Sequence, residues 1–206
     1  MTSATVRTVA PRRRTPSDEV AWSLVEAAVR VIEADGAEAL TVRRVATEAG
    51  VSPQGVYNHF AGKQGVVEAV FIRGFDGLSA AFAELPREDL FRALVVAAHR
   101  YRELALEHPG FYTVMFDKAV PDFTPSPEAL AHASAAFGGL RQLVEEAMAA
   151  GALATADPVS VAQQLWSAIH GAISLELRGI SFVTDLDAQY DALVHTVLRG
   201  IGGDGP

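Results

Sequence analysis

Apolar residues recur along this chain at helical spacing from near residue 16 to near residue 200, in blocks with clean starts and stops. Over 16–34, Val20, Leu24, Ala27, Ala28, Val31 and Ile32 share one stripe, the i, i+3, i+4 pattern of a helix packed along one face. Two short helices are predicted at 42–49 and 53–59. A long fourth begins near Lys63, carries Val66, Val67, Val70, Phe71, Phe75, Leu78 and Phe82, and is ended by Pro86. A fifth is predicted over 87–107 and a short sixth from Pro109 to Met115. Helices over 127–150, 158–178 and 186–200 complete a set of about nine.

Period-2 alternation and hairpin dipeptides are missing, so the fold class is all-α. Thr15-Pro16, Thr41, Ser52-Pro53, Ser126-Pro127 and Asp157-Pro158 supply capping oxygens, and Gly36, Gly50, Gly151 and Gly179 supply stops. The segment 117–127, DKAVPDFTPSP, holds three prolines and two acids and reads as the long loop. Gly-rich 200–205, GIGGDG, has dinucleotide-loop spacing but neither a strand before it nor a helix after it, and reads as a frayed tail.

Residues 41–60, TVRRVATEAGVSPQGVYNHF, are the most informative stretch. Ala46 is small enough for two helices to cross closely, Gly50 suits a turn with positive φ, and Val56 pins the second helix on the first. Ser52 offers an N-cap and Pro53 a preset φ at the first helical position. The pattern reads as a helix-turn-helix. In that geometry the second helix lies in the major groove of duplex DNA with its N-terminal residues at base edges. Gln54 then stands at the bases, where its amide can bond adenine N6 and N7 together, and Ser52 joins the DNA-binding residues at the start of that helix. Gly55 leaves room for close approach, and Asn58 is a second reader. Arg43 is directed to backbone or base and Arg44 to phosphate.

Net charge is −8, unpromising for a nucleic-acid binder until its distribution is considered. Residues 1–63 carry eight Lys/Arg against seven Asp/Glu, whereas 64–206 carry nine against eighteen. Arg7, Arg12, Arg13 and Arg14 sit ahead of the first helix. A DNA-reading head on an acidic body fits that asymmetry. Arg-, Ser- and Thr-rich residues 1–15 read as a basic arm able to reach a minor groove, with an organelle transit peptide as the other reading. Cysteine is absent, excluding disulfides, thiolate metal sites and thiol nucleophiles. The longest apolar run, Ala93 to Ala98, is far short of a bilayer span, so a cytoplasmic location is expected.

The stripe of the first helix, LTVRRVATEAGVS, VYNHF and Lys63 together resemble the tetracycline-repressor (TetR) family of bacterial transcription regulators, over about residues 18–68. LWSAIHGAISLELRG at 165–179 resembles the Trp-His-Gly element of a C-terminal subgroup of that family. The resemblance implies phosphate contacts by Thr41, Tyr57, His59 and Lys63. It also implies a homodimer built on the eighth and ninth helices, and a body pocket whose small-molecule ligand resets the separation of the two heads on an operator. Domain bounds follow: arm 1–15, head 16–63, ligand-binding and dimerisation body 64–206. The chain departs from the family pattern at Gly62 and Gly65, which should weaken the start of the fourth helix by about 1 kcal/mol each relative to alanine.

Pockets are lined by aromatics with a few polar groups among them. Candidates here are His99, Phe111, Met115, Phe137, Trp166 and His170, with a buried His170 bonded to a carbonyl as the plainer reading. Tyr190, Leu193, Val194, Val197, Leu198 and Ile201 form a stripe suited to a dimer seam, or to packing within one subunit. Enzyme chemistry finds little support: there is no paired Glu-x-x-His, His-Glu-x-x-His, Gly-x-Ser-x-Gly or phosphate loop. Glu128 and His132 are a lone pair, read as a surface ion pair. No cofactor and no metal is expected. The expected protein is a ligand-responsive repressor on a palindromic operator. The rival is a helical small-molecule carrier or interaction protein without DNA binding.

Overall fold

The computed structural model describes residues 16–202, and among them every regular element is helical. Helix α1 spans Pro16–Asp35, α2 Val42–Glu48, α3 Pro53–His59, α4 Gly62–Ala83 and α5 Leu90–Glu107. Helix α6 spans Pro109–Phe116, α7 Pro127–Ala149, α8 Pro158–Leu177 and α9 Leu186–Gly202. A single 3-10 turn, Ala37–Ala39, follows α1. The basic arm lies outside the described residues. Gly200–Gly202 of the glycine-rich tail close α9.

Capping residues set most of these bounds. Thr41, Ser52, Ser126 and Asp157 accept from the backbone N–H of Arg44, Gly55, Ala129 and Ser160, each satisfying an otherwise orphaned donor. The fourth and fifth helices depart from expectation. Helix α4 stops at Ala83, before Pro86, and α5 starts at Leu90 because Asp89 caps it through the Arg92 N–H.

The head is a three-helix unit closed by a small apolar core. Leu24, Ala27, Ala28 and Val31 of α1 meet Val45 and Ala46 of α2 and Val56 of α3, all at most 1% exposed. Gly50 adopts φ 70°, and the Val51 N–H reaches back to the Ala46 carbonyl, which lets α3 turn sharply off α2. Gly62 differs from the sequence reading. Its φ of 71° makes it a left-handed joint between α3 and α4, where alanine would be strained, so it does not weaken a helix interior. Gly65 packs close to Phe60, a Cβ there lying 3.3 Å from the Phe60 Cβ.

Helix α4 is the spine, packing on α1, α5, α6 and α7, while α8 lies between α7 and α9. Tyr190, Val194 and Leu198 are buried inside their own subunit, and Leu193, Val197 and Ile201 are only part-buried. Tyr190 donates to the Ala98 carbonyl of α5 at 2.8 Å. Tyr190, Val194 and Leu198 therefore anchor α9 to the body, whereas Leu193, Val197 and Ile201 keep part of their surface outside it. Arg102 of α5, 11% exposed, holds Glu176 of α8 by two bonds of 2.6 and 2.7 Å and reaches Asp187 of α9 at 2.7 Å.

Candidate nucleic-acid interface and body cavities

Helix α3 buries Val56 and presents its opposite side to solvent. Ser52, Gln54, Tyr57 and Asn58 are exposed there, with Gly55 half-buried beside them. Gln54 and Asn58, one turn apart, are joined by a hydrogen bond from Gln54 Nε2 to Asn58 Oδ1. Tyr57 is 57% exposed, so its ring does not close the head's core; Phe60, half-buried, packs against it. A Cβ on Gly55 would meet Val51 at 3.5 Å, an ordinary contact, so internal packing does not demand glycine there.

Thr41, Arg43 and Arg44 are exposed at the start of α2, and His59 and Lys63 are half-buried around the α3–α4 joint. Arg44 is ion-paired with Asp35 at 2.8 Å on the surface, a contact of small net worth that a phosphate can replace. The ten sequence-predicted DNA residues thus come from the start of α2, from α3 with its cap, and from the first turn of α4.

Two cavities involve the predicted ligand residues, and they divide them. The larger, about 400 Å³, lies between α1, α4, α5 and α6 and takes in Phe111 and Met115. The smaller, about 20 Å³, lies between α4, α5, α7 and α8 and takes in Phe137 and Trp166. Trp166 Nε1 is buried without a hydrogen-bond partner among the described residues. His99 lines neither. It faces α9, where it meets Asp191 at 3.2 Å and lies edge-on to Tyr190. His170 is bonded to hydroxyls and not to a carbonyl: Tyr101 Oη at 2.7 Å and Tyr112 Oη at 3.2 Å. Burial lowers the His170 pKa, favouring the neutral ring, and burial also pushes the Tyr112 phenol up to about 12. Tyr101 borders both cavities, so this polar knot forms part of the partition between them.

Sequence reasoning missed the α1 wall of the larger cavity: Trp22, Glu26, Val29, Arg30 and Glu33. Their i, i+4, i+7, i+8, i+11 spacing marks a second face of α1, disguised because three of the five are charged. His132 pairs with Asp76 of α4 at 2.6 Å and not with Glu128. No group of three or more His, Asp or Glu side chains among the described residues could hold a metal ion. None of the described helices is long and apolar enough to cross a membrane.

The tetR family of bacterial regulatory proteins matches residues 24–70, and the tetracyclin repressor-like C-terminal domain matches 81–199. An uncharacterised HTH-type transcriptional regulator of Mycobacterium tuberculosis is 30% identical over 183 residues, covering 87% of this chain and 80% of its own length. Among solved structures, a Rhodococcus protein of unknown function superposes with a TM-score of 0.78 at 26% identity, over 89% of this chain and 96% of that one. The TetR family regulator PfmR of Thermus thermophilus has a TM-score of 0.66 at 21% identity, over 85% and 97%. With the exposed reading helix and the capped turn behind it, these matches establish that the chain belongs to the TetR family and is a helix-turn-helix DNA-binding transcriptional regulator.

Proposed function

We propose that the protein is a homodimeric, non-enzymatic, cytoplasmic repressor that leaves a palindromic operator when a partly apolar small molecule occupies its body. The head is taken as residues 16–63, the body as 64–206, and 1–15 as a basic arm. One observation carries the reading: the outward face of α3 presents Gln54, Tyr57 and Asn58 to solvent, uncovered by the rest of the subunit. Gln54 and Asn58 supply base-edge amides, while Thr41, Arg44, Tyr57, His59 and Lys63 supply the phosphate register around them.

Pairing is supported by an apolar face on α8 and the loop after it. Leu175, Ile180, Phe182 and Val183 are exposed there, Phe182 completely. Isolated surface apolars need no explanation, but a contiguous cluster of four marks an association surface. Phe111 and Met115 line the larger cavity and Phe137 and Trp166 the smaller, and these four remain the candidates for effector contact; His99 and His170 line neither, His170 being bonded to Tyr101, which borders both.

Titration of the full chain on its own upstream DNA over a salt series tests this. The expected result is protection of a palindrome, with affinity falling steeply and linearly in log salt. Absence of DNA binding would favour the carrier reading, and equal binding to random duplex would remove the palindromic operator. Two recognition helices gripping one face of DNA should sit ~34–36 Å apart.

A further inference from the structure

We propose that Trp22 and Glu33, at the two ends of the second face of α1, are positioning residues that fix the angle of the head on the body, and so set which spacing of operator half-sites the dimer accepts. This rests on the homodimeric reading above and adds to it the residues that determine spacing specificity.

Helix α1 is clasped twice by the body. Near its start, Arg73 of α4 sets its guanidinium 3.8 Å over the Trp22 ring, a cation held on an aromatic face. Near its end, the Glu33 carboxylate accepts from the Gly110 N–H of α6 at 3.0 Å. That N–H belongs to the first turn of α6, which starts at Pro109 without a side-chain cap from His108, so its partner has to come from another element. Glycine lets the two helices close: a Cβ on Gly110 would lie 2.9 Å from both Val29 Cγ1 and Glu33 Cγ. The clasps stand three turns apart, ~16 Å along the helix. Between them the same face of α1 borders the cavity of about 400 Å³.

Two clasps do what one cannot. The covalent route from head to body passes through the glycine joint at Gly62, which fixes where the head sits but not its direction. One contact on α1 adds a pivot, and a second, three turns away, stops the swing about it. The head's own core uses Leu24, Ala27, Ala28 and Val31 on another face and neither clasp. Glu33 is exposed, so its bond is modest in strength, and losing it should turn the head without unfolding it. Leverage makes the angle count. Helix α1 has 20 residues. A tilt of about 10° along its ~30 Å displaces one end by about 5 Å, more than the ~3.4 Å of one base-pair step.

The test reads head separation directly, on the full chain without DNA. The chain has no cysteine, so Glu38→Cys, on the exposed surface of the head, takes one spin label per subunit. Double electron–electron resonance then measures the distance between the two heads. Trp22→Leu and Glu33→Ala are each expected to widen the distance distribution about twofold or more. Trp22→Phe keeps a ring under Arg73 and Glu33→Gln keeps an acceptor for Gly110, so both should retain the parent's width. On palindromes whose half-sites are moved apart or together by one or two base pairs, the two disruptive variants should lose about threefold or more of the parent's preference for its best spacing, with base preference inside each half-site unchanged. If Trp22→Leu does not fold, Arg73→Gln removes the same clasp from the body side. Unchanged width and spacing preference in the disruptive variants overturn the proposal, as does equal broadening in the conservative ones. A parent with no label-to-label distance sinks the homodimer reading, and this proposal with it; a labelled dimer whose heads ignore both substitutions sinks the proposal alone.

Discussion

Gln54 Nε2 donates a 3.2 Å hydrogen bond to Asn58 Oδ1, one turn along the exposed face of α3. The bond leaves the Gln54 carbonyl oxygen and the Asn58 NH₂ without partners among the described residues, an acceptor and a donor one turn apart. Gln54→Ala should cost ~1–3 kcal/mol at one base pair and relax preference there. Lys63→Ala should weaken all sequences alike and flatten the salt slope by about one. Binding-site selection on randomised DNA separates the two; an unchanged Gln54→Ala profile excludes it as a reader.

His170 lies between Tyr101 and Tyr112, and its pKa is lowered first by burial, with Asp117 opposing the lowering and Arg178 adding to it. Below an unfolded value near ~6.5 the unfolded chain therefore binds more protons than the folded one. Stability from this residue is complete above that pH and is lost as pH falls toward the depressed folded value. Thermal melts from pH 7.5 to 5 should show His170→Gln losing less stability on acidification than the parent. Parallel curves would remove His170 as the cause.

Gly110→Ala should force the α1–α6 seam apart, because Val29 is buried and the new methyl falls 2.9 Å from its Cγ1. The expected cost is ~1–3 kcal/mol in urea unfolding. Gly55→Ala makes the contrast: its methyl meets only ordinary contacts, so stability should hold and any loss should appear in DNA binding.

Leu175→Glu places a carboxylate in the exposed apolar face of α8. Sedimentation velocity should show monomer in place of dimer, with helix content by circular dichroism unchanged. A dimer that survives this change is built on another surface.

Local chemistry made most element bounds legible. Ser52-Pro53, Ser126-Pro127 and Asp157-Pro158 each cap the helix that they announce, because a cap involves only three or four neighbouring residues. Asp89 does the same without a following proline and escaped notice, which misplaced the start of α5. The solvent face of α3 was legible for a similar reason: Val56 buries one side and leaves the other exposed. Cavities are long-range objects. Nothing near Gly74 in the chain announces that Met115 will close on it, and nothing near His99 says that α9 will claim it through Asp191 and Tyr190. Aromatic content alone could not divide Phe111 and Met115 from Phe137 and Trp166.

Phe182 stands wholly in water on a single chain. If that ring is covered only by a sister copy, as proposed, then grip on an operator depends on two encounters, and gene dosage enters squared. Where copies are scarce enough to be mostly unpaired, halving synthesis would cut promoter occupancy to roughly a quarter by mass action. A regulator with so bare a seam would respond to its own abundance as sharply as to any small molecule.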